Sequence, residues 1–200
     1  MSEIDKADRL KEFEKTIGFS SKITFLLDLM RQLRKEGHRV LIFSMSKKIL
    51  NILESIIQSG FLGEHEGKPV QYMRIDGDTE IALREEICNY FNKDPNVFCG
   101  LLTTKVGGFG LNLTGADRAI ILDPDWNPAN DNQAVDRVFR IGQKRDVIVY
   151  RLLTIGTIEE KIYRRQIYKK GMSLATIDNN TTAQQDFDKY FAGEDLFELF

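Results

Sequence analysis

Residues 40–57 read VLIFSMSKKILNILESII, and this stretch decides the fold class. Val40-Leu41-Ile42-Phe43 is an unbroken apolar run, too short for a helix and typical of a parallel strand buried on both faces. Ser46 then offers a side-chain cap, and Ile49, Leu50, Leu53, Ile56 and Ile57 recur at the spacing of an amphipathic helix. Upstream, Ile23, Leu26, Leu27, Met30 and Leu33 predict another helix, ending at Gly37. Downstream come a strand at Tyr72–Ile75, a helix around Glu80–Phe91, and strands at Phe98–Leu102 and Ala119–Leu122. A helix after Pro128 and a last strand within Val147–Leu153 complete the pattern. Strand and helix in alternation predict an α/β fold, a parallel β-sheet with helices on both faces. Such sheets bind ligands beyond the carboxyl ends of their strands, so the loops after Phe43, Ile75, Leu102 and Leu122 are the places to look.

Composition narrows the class. The chain has 200 residues, 42% hydrophobic and 29% charged, with 28 Lys+Arg against 30 Asp+Glu, a net charge of −2. That balance excludes a bulk-basic nucleic-acid binder; any such contact must come from local placement of charge. Cys88 and Cys99 are too few for a disulfide framework, and His38 and His65 have no Cys or His at ligand spacing, so no metal site is expected. No apolar run approaches the roughly 20 residues of a membrane span, and the start MSEIDKADRLKEF lacks a signal-peptide core, which leads us to expect cytosol or nucleus.

Charge is unevenly placed. Residues 1–136 carry 17 basic and 21 acidic side chains, residues 137–170 carry 10 against 3, and residues 171–200 carry Lys189 against six acids. A basic block between acidic ones suits a polyanion surface, although a solvated helix face reads the same way. We divide the chain into an N-terminal helical segment (1–19), the main lobe (20–156), a basic helix (157–175) and a polar linker with an aromatic C-terminal segment (176–200). That last segment, with Phe187, Tyr190, Phe191, Phe197 and Phe200, is expected to dock on this domain or on a protein partner.

Two motifs carry chemistry. Thr103-Thr104-Lys105-Val106-Gly107-Gly108-Phe109-Gly110-Leu111-Asn112 follows a strand; its glycines allow close backbone approach to a phosphate, or simply make a tight turn. Thr103 and Thr104 add hydroxyls where a phosphodiester could be held. The second motif is Gln133-Ala134-Val135-Asp136-Arg137-Val138-Phe139-Arg140-Ile141-Gly142-Gln143. Arg137 and Arg140 stand three apart, which predicts two guanidiniums on one helical face, with Gln133 a turn earlier and Asp136 able to orient a guanidinium. Paired arginines suit charge developing on a γ-phosphate; the alternative is a helix exposing two surface arginines.

Thr104–Asn112, Asp123-Pro124-Asp125-Trp126-Asn127-Pro128 and Gln133–Gln143 together resemble the late motifs of the Swi/Snf-type ATPases of helicase superfamily two. Val40–Ser44, Ile75-Asp76-Gly77 and Arg84 extend the resemblance, which runs from about Ser20 to Gln166. DEAD-box RNA helicases carry HRxGRxGR where this chain has QAVDRVFRIGQ, and an acid where it has Asn112. Val149–Gln166 looks most like the excision-repair and Cockayne-syndrome-B-like subgroup. The resemblance implies a RecA-like second lobe of an ATP-driven double-stranded DNA translocase, nuclear and with little sequence preference. It implies ATP and Mg²⁺, bound mainly by a first lobe that this sequence does not contain, since there is no G-x-x-x-x-G-K-[ST] loop. By position, Arg137 and Arg140 match arginine fingers, with Gln133 assisting. Gly110 and Asn112, with Gly108 and Asp136, fall in the nucleotide-facing set. Thr104 and Ser44, with Thr103 and Lys105, match contacts to the DNA backbone. Trp126 is expected to pack its loop, and Glu159–Lys170 resembles the brace that returns toward the first lobe. The competing readings are a non-catalytic DNA- or protein-binding module with a RecA-like fold, and an RNA helicase lobe.

Overall fold

A computed structural model describes residues 18–63, 70–106 and 110–178, with the backbone alone from 170 onward. Helix α1 (Ser21–Lys35) begins at Ser20, whose hydroxyl accepts the Ile23 N–H at 3.4 Å, and buries Leu26, Leu27, Met30 and Leu33. Strand β1 (Val40–Ser44) is buried along its whole length. Helix α2 (Lys47–Gln58) is capped by Ser46 as its sequence predicts. Strand β2 (Gln71–Ile75), helix α3 (Ile81–Lys93), strand β3 (Val97–Thr103) and strand β4 (Arg118–Ile121) follow. Helix α4 (Pro128–Val135), strand β5 (Ile148–Arg151) and helix α5 (Ile158–Asp178) complete the described chain.

The sheet order is β2-β3-β1-β4-β5, with every pairing parallel. Because strand side chains alternate between faces, β1 splits its residues between two cores. Val40 and Ile42 join α1 and α2 on one face, whereas Leu41 and Phe43 join α3 and α4 on the other. The three central strands, β1, β3 and β4, are buried throughout, which is why they appear in the sequence as unbroken apolar runs. Gly100 in β3 has no room for a side chain: a Cβ would stand 2.7 Å from Leu41 Cδ2. This is the RecA-like parallel α/β fold that the sequence predicts.

The largest differences from expectation are at the edges. Strand β5 is shorter than Val147–Leu153 and half-exposed, as an edge strand is. Helix α5 runs to Asp178 and so enters the stretch from Thr176 that composition assigns to a linker. The expected helical segment 1–19 falls, up to residue 17, outside the described residues, as do Gly108 and the aromatic segment 179–200.

Candidate functional site

The carboxyl ends of β1 and β3 lie side by side. Ser44 and Thr103 are register partners, and the Thr104 N–H donates to the Ser44 carbonyl at 3.0 Å. The Ser44 hydroxyl accepts the Ser46 N–H at 3.0 Å and also hydrogen-bonds the Asp123 carboxyl. The Met45 N–H is shared by both Asp123 oxygens at 3.1 Å. Burial pushes the Asp123 carboxyl up, and hydrogen bonds from Ser44 and Met45 pull it only part of the way back. Ser44, Thr103 and Thr104 are 0%, 7% and 1% exposed, so of the four residues expected to meet DNA only Lys105 reaches solvent. The buried Thr104 hydroxyl has no hydrogen-bond partner among the described residues.

Arg137 and Arg140 do not share a helical face. Helix α4 stops at Val135, with Asp136 as its C-cap. The chain then tightens into turns, with Arg137 N–H to Ala134 O at 3.3 Å and Val138 N–H to Val135 O at 2.9 Å. Two tertiary demands end the helix. Val138 is fully buried in the core, and the Arg137 carbonyl is claimed by the Leu113 N–H at 3.2 Å. The two arginines therefore leave a turn, not a helix, and face different surroundings. Arg140 Nη1 donates to the Gly110 and Leu111 carbonyls at 2.8 and 3.2 Å. Gly110 lies at φ +71°, which fits the need for glycine there. Arg137 is half-buried with its Nε unpartnered, and among the described residues neither arginine makes an ion pair. Gln133 and Asp136 are exposed beside them.

Asn112 is exposed, and its carbonyl accepts the Asn92 side-chain amide at 2.8 Å; Asn92 Oδ1 in turn accepts the Gly115 N–H at 2.8 Å. Asn92 thus clamps the loop that supports Arg140, a role that the sequence of α3 does not announce. Gln143 is a second residue of this kind. Its Nε2 lies 2.7 Å from Ala116 O, 3.2 Å from Thr114 O and 3.3 Å from Val138 O, and its Oε1 accepts the Lys144 and Arg145 N–H groups. Of the expected site residues, the structure joins Arg140 to the Gly110 and Leu111 carbonyls, and it leaves Gln133, Asp136 and Asn112 exposed and Arg137 half-buried, each in its own surroundings. Among the described residues no group of three His, Cys, Asp or Glu could hold a metal ion.

A polar junction fastens α5 to the sheet's carboxyl end. Gln166, only 6% exposed, donates to Asp131 Oδ2 at 2.8 Å and to the Asp125 carbonyl. Asp125 also accepts the Asn127 N–H and the Asn130 amide, which sets the shape of the Asp123–Pro128 loop. At the near end of the helix Glu159 pairs with Lys22 of α1 and accepts the Thr154 N–H at 2.8 Å. Trp126, expected to pack this loop, is instead 53% exposed.

The model of the helicase conserved C-terminal domain matches residues 21–142. The DNA excision repair protein ERCC-6-like of Bos taurus is 46% identical over the whole of this chain, which covers 15% of that protein. The SNF2 domain-containing protein ENL1 of Oryza sativa is 47% identical over 90% of the chain, covering 17% of that protein. Protein CHROMATIN REMODELING 24 of Arabidopsis thaliana is 44% identical over 93% of it and 16% of its own length. Among solved structures, the C-terminal part of the Fun30 ATPase domain superposes with a TM-score of 0.66 at 36% identity, over 72% of this chain and 45% of that one. The chain spans about a sixth of the curated relatives it matches. By this match, and by a parallel sheet bearing the late motifs in order, the chain belongs to the helicase conserved C-terminal domain family, in its Swi/Snf-type branch.

Proposed function

We propose that this chain is the second motor lobe of an ATP-dependent double-stranded DNA translocase, of the repair or chromatin-remodelling type, working in the nucleus. The observation that carries the reading is Arg137: a half-buried guanidinium whose Nε is unpartnered and which has no carboxylate mate among the described residues, on a turn held by Leu113. A cation in that position is costly unless an external anion meets it. The γ-phosphate of ATP, presented by another lobe with its Mg²⁺, supplies that anion. Guanidiniums stabilise the charge spread over the phosphoryl oxygens as the bond to the leaving group breaks. Arg140, braced on the Gly110 and Leu111 carbonyls, holds the glycine loop in register with the turn, and Gln133 and Asp136 flank it. Gly110 and Asn112 face the nucleotide's ribose side. Lys105 and the backbone at the β1 and β3 ends grip the DNA phosphates, so binding weakens steeply with salt and reads little sequence. Alone, the chain has the trans-acting charge stabilisers but nothing to cradle the β- and γ-phosphates, and it does not turn over ATP.

The test is Arg137→Ala and Arg140→Ala in the complete parent protein. We expect DNA-stimulated ATP turnover to fall by about 10³ or more while nucleotide binding is largely retained. Near-normal turnover in the Arg137 variant, or robust hydrolysis by residues 1–200 alone, sinks the reading.

A further inference from the structure

The arginine turn carries a feature that phosphate chemistry does not explain. Phe139 is 71% exposed and Ile141 99% exposed, one on each side of Arg140. Scattered exposed apolar residues are ordinary. This pair is different, because the backbone that presents it is pinned from behind. The Arg137 carbonyl is held by Leu113, Arg140 is bonded to the Gly110 and Leu111 carbonyls, and Gln143 reaches Thr114, Ala116 and Val138. Gly142, at φ +103°, turns the chain back immediately after Ile141. A pinned turn could have buried its two large side chains against the domain, as it buries Val138, and it does not.

We propose that Phe139 and Ile141 are apolar anchors that dock this lobe on the nucleotide-holding lobe of its parent chain. The proposal rests on the motor-lobe reading above. Three observations select that occupant. Arg140 stands between the anchors and Arg137 two residues before the first, so whatever surface presents the phosphates must come within side-chain reach of both. Residues 136–146 hold Arg137, Arg140, Lys144 and Arg145 against Asp136 and Asp146, and Arg145 is engaged by Asp117, which leaves a net positive face whose complement is an apolar socket rimmed by negative charge, as beside a bound nucleotide. The chain is about a sixth as long as its relatives, which leaves room in a parent chain for such a lobe. The anchors would be buried only in the closed state, coupling apolar burial to the arrival of the guanidiniums at the phosphate.

The test is the double variant Phe139→Ser with Ile141→Ser in the full parent protein, carrying a fluorophore pair across the two lobes. With duplex DNA and a non-hydrolysable ATP analogue, the closure signal should be lost, and kcat should fall at least about tenfold. Nucleotide binding and the thermal midpoint should be unchanged, because neither side chain packs in the core. The apolar pair Phe139→Leu with Ile141→Val should restore closure and turnover. Normal closure and turnover in the serine variant overturn the proposal. So does a defect shared by the Leu/Val variant, or one that comes with a lowered midpoint, since either would mark a role within the domain. The Arg137→Ala control separates the two readings: it should close normally and fail to hydrolyse. If it hydrolyses normally, the motor reading itself is wrong, whatever the serine variant does.

Discussion

Two buried aspartates hold opposite ends of the same sheet, and they do so by opposite electrostatics. Asp117, 2% exposed, lies at the entry to β4; it accepts from His38 Nδ1 at 2.8 Å, the Arg39 N–H at 3.1 Å and Arg145 Nη1 at 3.4 Å, with Arg118 alongside. Asp131, 1% exposed, lies in α4 at the exit of β4; among the described residues it accepts only from the Gln166 amide and, at 3.3 Å, the Asp125 N–H. Burial pushes both carboxyls up. At Asp117, His38, the Arg39 N–H and Arg118 outweigh burial and hold the group below the usual carboxylate range. At Asp131 the Gln166 and Asp125 hydrogen bonds do not outweigh it, the Asp125 charge adds to it, and the group stays raised. The cationic hub ties down the segment that leaves the arginine turn, through Arg145. The amide junction ties down α5, the element that resembles a brace. At Asp117 the acceptor is met by cations, whereas Asp131 is met from α5 by one neutral side chain, the start of that helix being fastened separately by the Glu159–Lys22 pair.

The hardest blow to this contrast is Asp117→Ala. It leaves the buried Arg118, the Arg39 N–H and His38 facing a void where their shared acceptor stood. Removing one partner of a buried charged group costs about 3–5 kcal/mol. For a chain of this size that lowers the unfolding midpoint by roughly 6–20 °C, measurable by calorimetry on residues 1–200. A shift of only a degree or two would mean that Asp117 is a bystander. Gln166→Ala comes next. It removes the one described side-chain bond from α5 to Asp131, a loss of about 1–3 kcal/mol for a buried acceptor left short of a donor. Its signature is local: amide hydrogen exchange should quicken along α5 while β1 and β3 stay protected. Uniform acceleration across the sheet would show that the junction is part of the global core.

How much of this was legible beforehand depended on what kind of residue carried the information. β1, β3 and β4 are apolar at nearly every position, and burial on both faces permits little else. The caps at Ser20 and Ser46 and the Pro128 helix start are local signals and were equally readable. The helix through Arg137 and Arg140 was not, because it is ended by Leu113, a residue more than twenty positions away in sequence that claims the Arg137 carbonyl. Gly142 was the one local hint that the chain turns. The site residues were readable as types, but their exposure was not: Ser44 and Thr104 look like surface hydroxyls and are buried. Asp117, Asp131, Asn92 and Gln166 are polar residues whose default reading is solvent. Only the fold shows that Asp117, Asp131 and Gln166 are buried in their bonds and that the half-buried Asn92 clamps a loop.

The smallest effect gives the sharpest test, because it reverses sign between the two aspartates. A carboxyl held below its unfolded value, about 3.9, stabilises the fold above that pH and loses the contribution as pH falls through its lower folded value. Asp117 is of this kind. A carboxyl raised above its unfolded value favours the fold below about pH 4, and that contribution disappears as pH rises through its folded value. Asp131 is of this kind. Asparagine removes the titration and keeps an acceptor oxygen. The stability deficit of Asp117→Asn relative to the parent sequence should therefore shrink as urea unfolding is moved from neutral pH to below about 4. For Asp131→Asn the difference should move the other way: the variant should gain on the parent sequence as pH rises from about 4 toward neutrality, because it avoids burying a charge beside Asp125. Parallel pH profiles for the two variants would mean that the cations around Asp117 do not set its charge, and that the two ends of the sheet are fastened by the same means.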